Sequence, residues 1–185
     1  FTGSITVNQG TLNLNSTLRG VAGLTVNAGA TASIGRTNMF VTNHGVAMDS
    51  SRVFTVNGGT LVMTASMDAR FGNVTLHDGG TLTSNRGLTA WDALFGEVND
   101  GGTTVAATFS VTGSGVSTMN GSGGIHLGGV QNFSIADTTG NADADLVVDM
   151  ILDKRGNNPG PLGGINKLGA GTMRINSNSS YDGAT

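Results

Sequence analysis

Apolar residues recur two apart along the chain with Thr between them: Ile5 and Val7, Leu24 and Val26, Phe54 and Val56, Val74 and Leu76. A period of two sends alternate side chains to opposite faces of an extended backbone, so each pair marks a strand with one buried face. A polar corner follows each of the clear copies, most plainly as Asn-x-Gly or His-Asp-Gly. There Asn and Asp can hydrogen-bond nearby backbone, and Gly can take a positive φ, so the chain bends sharply. A second alternating segment then brings Leu12 and Leu14, or Leu61 and Met63, to the same interior. The unit is strand, corner, strand.

The unit repeats as ITVNQGTLNL (5–14), LTVNAGATASI (24–34), FTVNGGTLVM (54–63) and VTLHDGGTLTS (74–84), with degenerate copies at 109–119 and 133–140. Its clear copies begin at residues 5, 24, 54 and 74, which are intervals of 19, 30 and 20 residues. Such spacing suits the rungs of a solenoid, in which each copy stacks on the last; the long interval absorbs an insertion at 39–51. The competing fold is a sandwich of antiparallel hairpins, which calls for two-residue turns between paired strands. The spacing favours the solenoid. Stacking would align like residues in columns, with aliphatic side chains inside and Asn and Thr sharing hydrogen bonds outside. At roughly 20 to 25 residues per rung the chain makes about eight rungs with inserted loops, a rod of ~35 to 40 Å.

Composition sharpens this reading toward an all-β chain. There are 31 Gly, only 2 Pro and 11% charged residues in 185, with 37% hydrophobic, so helix-forming charged residues are scarce and the surface is built from Asn, Thr and Ser. A net charge of −3 with no basic run argues against nucleic acid as a partner. No apolar run reaches the ~18 residues of a membrane helix, and the opening residues do not read as an export signal, so no membrane insertion by this segment is expected. The absence of Cys removes thiolate metal sites and leaves the redox compartment open.

The segment 142–185 carries GGINKLGAGTMRINSNSSYDGAT at its end. It resembles the autotransporter-associated β-strand repeat of bacterial surface proteins, a pattern of Gly-Gly-Leu, Lys, Gly-x-Gly-Thr-Leu and an Asn-x-Tyr-x-Gly-x-Thr turn before a Val-x-x-Gly-Thr-Leu strand. The matching positions are Gly163, Gly164, Lys167, Gly169, Gly171, Thr172, Tyr181, Gly183 and Thr185; Met173 and Ile165 stand where Leu is usual, and Ser179 where Asn is. The pattern resumes at the other end, where Phe1 aligns with Tyr181, Gly3 with Gly183, and Val7, Gly10, Thr11 and Leu12 complete the strand. Residues 1–185 are therefore expected to be a single module and one period of a longer tandem array, with the motif split between 163–185 and 1–14. The resemblance implies a right-handed parallel β-helix, located extracellularly or on the bacterial cell surface, in an adhesin, stalk or fibre. Neighbouring copies of the repeat would be its partners, in the same chain or head to tail, with surface glycans or other cells as further candidates.

Chemistry is weakly signalled. Asp143, Asp145, Asp149 and Asp153 are the main acidic group, and Asp143 and Asp145 would share the solvated face of one strand. A carboxylate pair without an aromatic sugar platform is poor support for glycoside chemistry. His44, His77 and His126 fall in different rungs, with His77 at a corner as a turn cap. GSGGIHLGG (121–129) lacks the Gly-Lys-Ser/Thr ending of a phosphate loop and reads as tight corners. The irregular stretch 88–104 interrupts the repeat, permits a short helical turn, and offers Trp91, Asp92, Phe95 and Glu97 as a contact loop or a flap over the core. No catalytic, metal or cofactor-binding residues are assigned. The expected function is a noncatalytic structural or adhesive segment; the alternatives are a carbohydrate-active β-helix enzyme and an adhesin that binds glycan or host protein.

Overall fold

A computed structural model describes residues 2–16, 21–35, 52–64, 70–85, 94–95, 97–98, 104–154 and 163–181 of the chain. Among them the only regular structure is β. Two seven-stranded sheets are wholly parallel. The first holds Ser4–Val7, Gly23–Asn27, Val53–Asn57, Asn73–His77, Thr108–Thr112, Val130–Ile135 and Gly164–Leu168 in chain order. The second holds Gly10–Leu14, Ala30–Ile34, Thr60–Met63, Thr81–Ser84, Ser117–Asn120, Leu146–Val148 and Met173–Ile175, also in chain order. Each tier contributes one strand to each sheet, so antiparallel hairpins do not build either layer.

Partners in the first sheet lie 19, 30, 20, 35, 24 and 34 residues apart, and the first three separations are those of the sequence repeat. The described residues hold seven tiers where the length suggested about eight, the three long separations containing inserted chain. Register converts the alternation into columns. Val7, Val26, Val56, Leu76, Val111 and Ile135 are aligned partners, and all are buried. In the second sheet Ala32, Leu61, Leu82, Met119 and Val148 do the same. Both sets join one apolar cluster between the sheets. Each buried Val, Leu or Phe contributes about 1.5–3 kcal/mol.

Corners of two or three residues link the two sheets in the first four tiers, and links of four, ten and four residues do so in the last three. Gly80 shows why glycine is needed: a Cβ there would lie 2.1 Å from the carbonyl oxygen of Val56 in the tier before.

A four-stranded parallel sheet lines the middle tiers, with Arg70–Phe71, Leu94–Phe95, Gly124–Leu127 and Ile151–Lys154 in chain order. The sequence did not announce it. GSGGIHLGG, read as corners, contains the fully buried strand Gly124–Leu127. In the stretch expected to permit a helical turn the described residues form Leu94–Phe95 and Glu97–Val98, the latter paired antiparallel with Thr104–Val105, and the rest of 88–103 lies outside the described residues. The insertion at 39–51 lies outside the described residues.

Candidate functional site

The polar side chains that the fold organises most fully lie at corners. Asn27 Nδ2 donates to Asn8 Oδ1 at 2.7 Å, and Asn57 Nδ2 donates to Asn27 Oδ1 at 3.0 Å, so three tiers share an amide ladder. Asn166 repeats the bond to Asn132 at 2.8 Å near the other end. In the fourth tier His77 replaces Asn in the register beside Asn57; its Nδ1 lies 3.0 Å from Thr112 Oγ1 and its Nε2 3.2 Å from Asp78 Oδ2. Asp78 has a positive φ of 48° and accepts bonds from the backbone N–H and hydroxyl of Ser114. The Ser114 N–H, then its hydroxyl, hold the Asp78 carboxyl below its ordinary value, and His77 adds to this. His77, expected as a turn cap, does stand at a corner, where its side chain reaches the Thr112 hydroxyl and the Asp78 carboxylate.

Asp145 departs from expectation. Asp143 is exposed, but Asp145 is 1% exposed, because residues 141–143 form bends and the strand begins only at Leu146; the two do not share a solvated strand face. One carboxylate oxygen of Asp145 accepts from the backbone N–H groups of Thr138 and Thr139 at 2.7 and 2.8 Å and from both hydroxyls. The other accepts the Thr172 N–H of the last tier at 2.7 Å. Burial alone would raise its pKa, but the N–H groups of Thr172, Thr138 and Thr139 outweigh burial and hold it well below the usual carboxylate range. The carboxylate therefore fastens the last tier to the corner of the one before. The available signal was local: two threonines six and seven residues before an acid that interrupts the apolar pair Ala144 and Leu146.

Other acids are also engaged. Asp149 accepts from Asn176 Nδ2 at 2.7 Å, and Asp153 accepts from the Ser180 hydroxyl. His126, which alternates with the core residues Ile125 and Leu127, is nevertheless 2% exposed and has Nδ1 4.0 Å from Asp153 Oδ2. Gln131 was missed altogether: it is buried, accepts from the Ala107 N–H at 2.7 Å and donates to the Gly128 carbonyl at 3.0 Å. Among the described residues no three His, Asp or Glu side chains converge on a common point.

The motif residues occupy the end tiers. Val7 is buried and Ile5 and Leu12 are half-buried in the first tier, where Gly10 opens the second-sheet strand with a φ of 70°. In the last tier Gly169 and Gly171 lie so close to the preceding tier that a Cβ would fall 2.3 Å from the Ile135 carbonyl and 2.1 Å from that of Ala136. Tyr181 packs on the core cluster from the same end, with Met173 and Ile175. Gly3 accepts the Ala22 N–H through its carbonyl at 3.2 Å; Phe1 and Gly183 lie outside the described residues. Of the contact-loop residues, Trp91 and Asp92 also lie outside them, while Phe95 and Glu97 fall on the two different sheets given above. No family model, curated protein or solved structure matches the chain.

Proposed function

We propose that this chain is a noncatalytic segment of an extracellular or cell-surface shaft, coiled as a right-handed parallel β-helix and extended by neighbouring copies stacked on its end tiers. The in-register parallel pairing of both seven-stranded sheets is the observation that carries the reading. Each sheet ends on a strand with one backbone edge unpaired among the described strands: Ser4–Val7 and Gly10–Leu14 on one side, Gly164–Leu168 and Met173–Ile175 on the other. Apolar columns run into those edges, with Ile5 and Leu12 at one end and Met173 and Ile175 at the other only half covered, while the column through Phe109 and Phe133 ends on Lys167. Open edges with apolar ends favour a further strand of the same pattern. The resemblance of 163–185 and 1–14 to the autotransporter-associated repeat supplies that pattern, and with it the surface location and the handedness.

The test is a protein carrying two consecutive copies, viewed by electron microscopy beside the single copy. Stacked tiers spaced ~4.8 Å give one copy a length of roughly 30 Å along the stack and two copies a continuous thin rod about twice as long. Two separate beads joined by a flexible link would overturn the reading.

A further inference from the structure

We propose that Asn57–Gly58 is a latent self-modification site, a deamidation-prone pair whose side-chain amide is kept intact by the tiers on either side of it. Asn followed by Gly is the least hindered setting for attack by a backbone nitrogen on its neighbour's side chain, because Gly has no Cβ in the way. In that reaction the Gly58 nitrogen gives up its proton to water and bonds to Asn57 Cγ, and the bond from Cγ to the amide nitrogen breaks as that nitrogen takes a proton from water and leaves as ammonia. One water then opens the cyclic imide at either carbonyl, leaving aspartate or isoaspartate. No oxidant or reductant takes part.

Each group that must move is held from outside its own tier. The Gly58 N–H donates to the His77 carbonyl of the next tier at 2.8 Å, which retains the proton that has to leave. The Asn57 amide nitrogen, the leaving group, donates to Asn27 Oδ1 of the previous tier at 3.0 Å, and Asn27 is itself tied to Asn8 at 2.7 Å. Asn57 closes the strand Val53–Asn57, and Gly58 is bridged to Asn27 with a φ of 65°. An extended residue aims the following nitrogen away from its own side chain. Closure of the imide therefore requires the third tier to leave both neighbours.

Conversion would also oppose the return of that tier. A carboxylate at position 57 has no hydrogen to donate, so its oxygen would face Asn27 Oδ1 acceptor to acceptor, and isoaspartate would add a backbone atom to the corner. The pair is thus a one-way chemical mark of tier separation.

The experiment incubates the intact 185-residue protein at mildly alkaline pH, folded and in urea, and follows Asn57 and the second Asn-Gly pair, Asn120–Gly121, by peptide mass mapping. Folded protein should convert at Asn57 at least about tenfold more slowly than the unfolded chain, the factor set by a local opening cost of ~1.4 kcal/mol. Asn27→Ala, which removes the acceptor, should speed conversion at Asn57 several-fold and leave Asn120 unchanged, whereas Asn8→Asp, which keeps the oxygen that Asn27 donates to and so leaves both bonds of the ladder in place, should preserve the slow rate. Equal rates in the folded and unfolded chains would overturn the proposal. So would N8D converting as fast as N27A, or N27A accelerating both pairs together.

Discussion

The fifth and sixth tiers and the seventh use the same inward column differently. Phe109 and Phe133 are register partners with ring centroids 5.3 Å apart, stacked and almost fully buried. One tier further the partner of Phe133 is Lys167, whose ammonium turns back to the carbonyls of Leu168 and Gly169 at 3.1 and 2.9 Å. In the second sheet, likewise, Met119 and Val148 are sealed while Met173 and Ile175 are half-buried. In this column every position covered by tiers on both sides, from Leu24 through Phe54 and Val74 to Phe109 and Phe133, carries a purely apolar side chain. With one side open, a long side chain that covers its neighbour with methylenes and keeps its charge in water serves better.

Truncation within the column should break this contrast most visibly. Phe109→Ala is expected to cost about 3–5 kcal/mol in denaturant unfolding, since it empties a stacked ring position that the surrounding sheets can refill only in part. Removal of the Asp145 carboxylate comes next. Asp145→Ala should cost about 1–3 kcal/mol, because it leaves the partly buried N–H groups of Thr138, Thr139 and Thr172 without their acceptor.

That carboxylate also gives the wild type a pH signature. Its folded pKa is depressed, so its contribution is fully present above the unfolded value of about 3.9 and is lost as pH falls below it; Asp145→Asn should flatten that part of the acid unfolding curve. A wild-type-like loss of stability in the Asn variant would contradict the assignment.

Two smaller effects sharpen the same comparison. Ser117 is buried with a hydroxyl that finds no partner, so Ser117→Ala should raise stability by about 1 kcal/mol in the same unfolding assay. Ile175→Ala at the half-covered end should lower it by only ~1 kcal/mol, well short of the loss at Phe109, because less area leaves contact with protein. Equal losses at the two sites would mean that the end tier is as well sealed as the interior.

The strands of the first four tiers were legible because their apolar pairs and corners recur with little variation, and the predicted separations are the observed registers. The shared Asn hydrogen bonds followed from the same alignment. The third sheet was not legible. Its strands are two to four residues long, and Gly124–Leu127 is buried on both faces, so it has no alternation to read. Asp145 was misplaced for a related reason: a period of two applies only inside a strand, and this residue sits just before one. Its role depends on Thr172, which lies 27 residues away and has no local signature.

Among the described residues the parallel strand partners lie 19 to 37 residues apart in sequence, because a tier touches only the one before it and the one after. Loop closure entropy grows with the length of chain that a contact encloses, and here that length has a ceiling independent of the total. A polypeptide built on this plan could be lengthened indefinitely, each added turn incurring the same modest ordering penalty as the last.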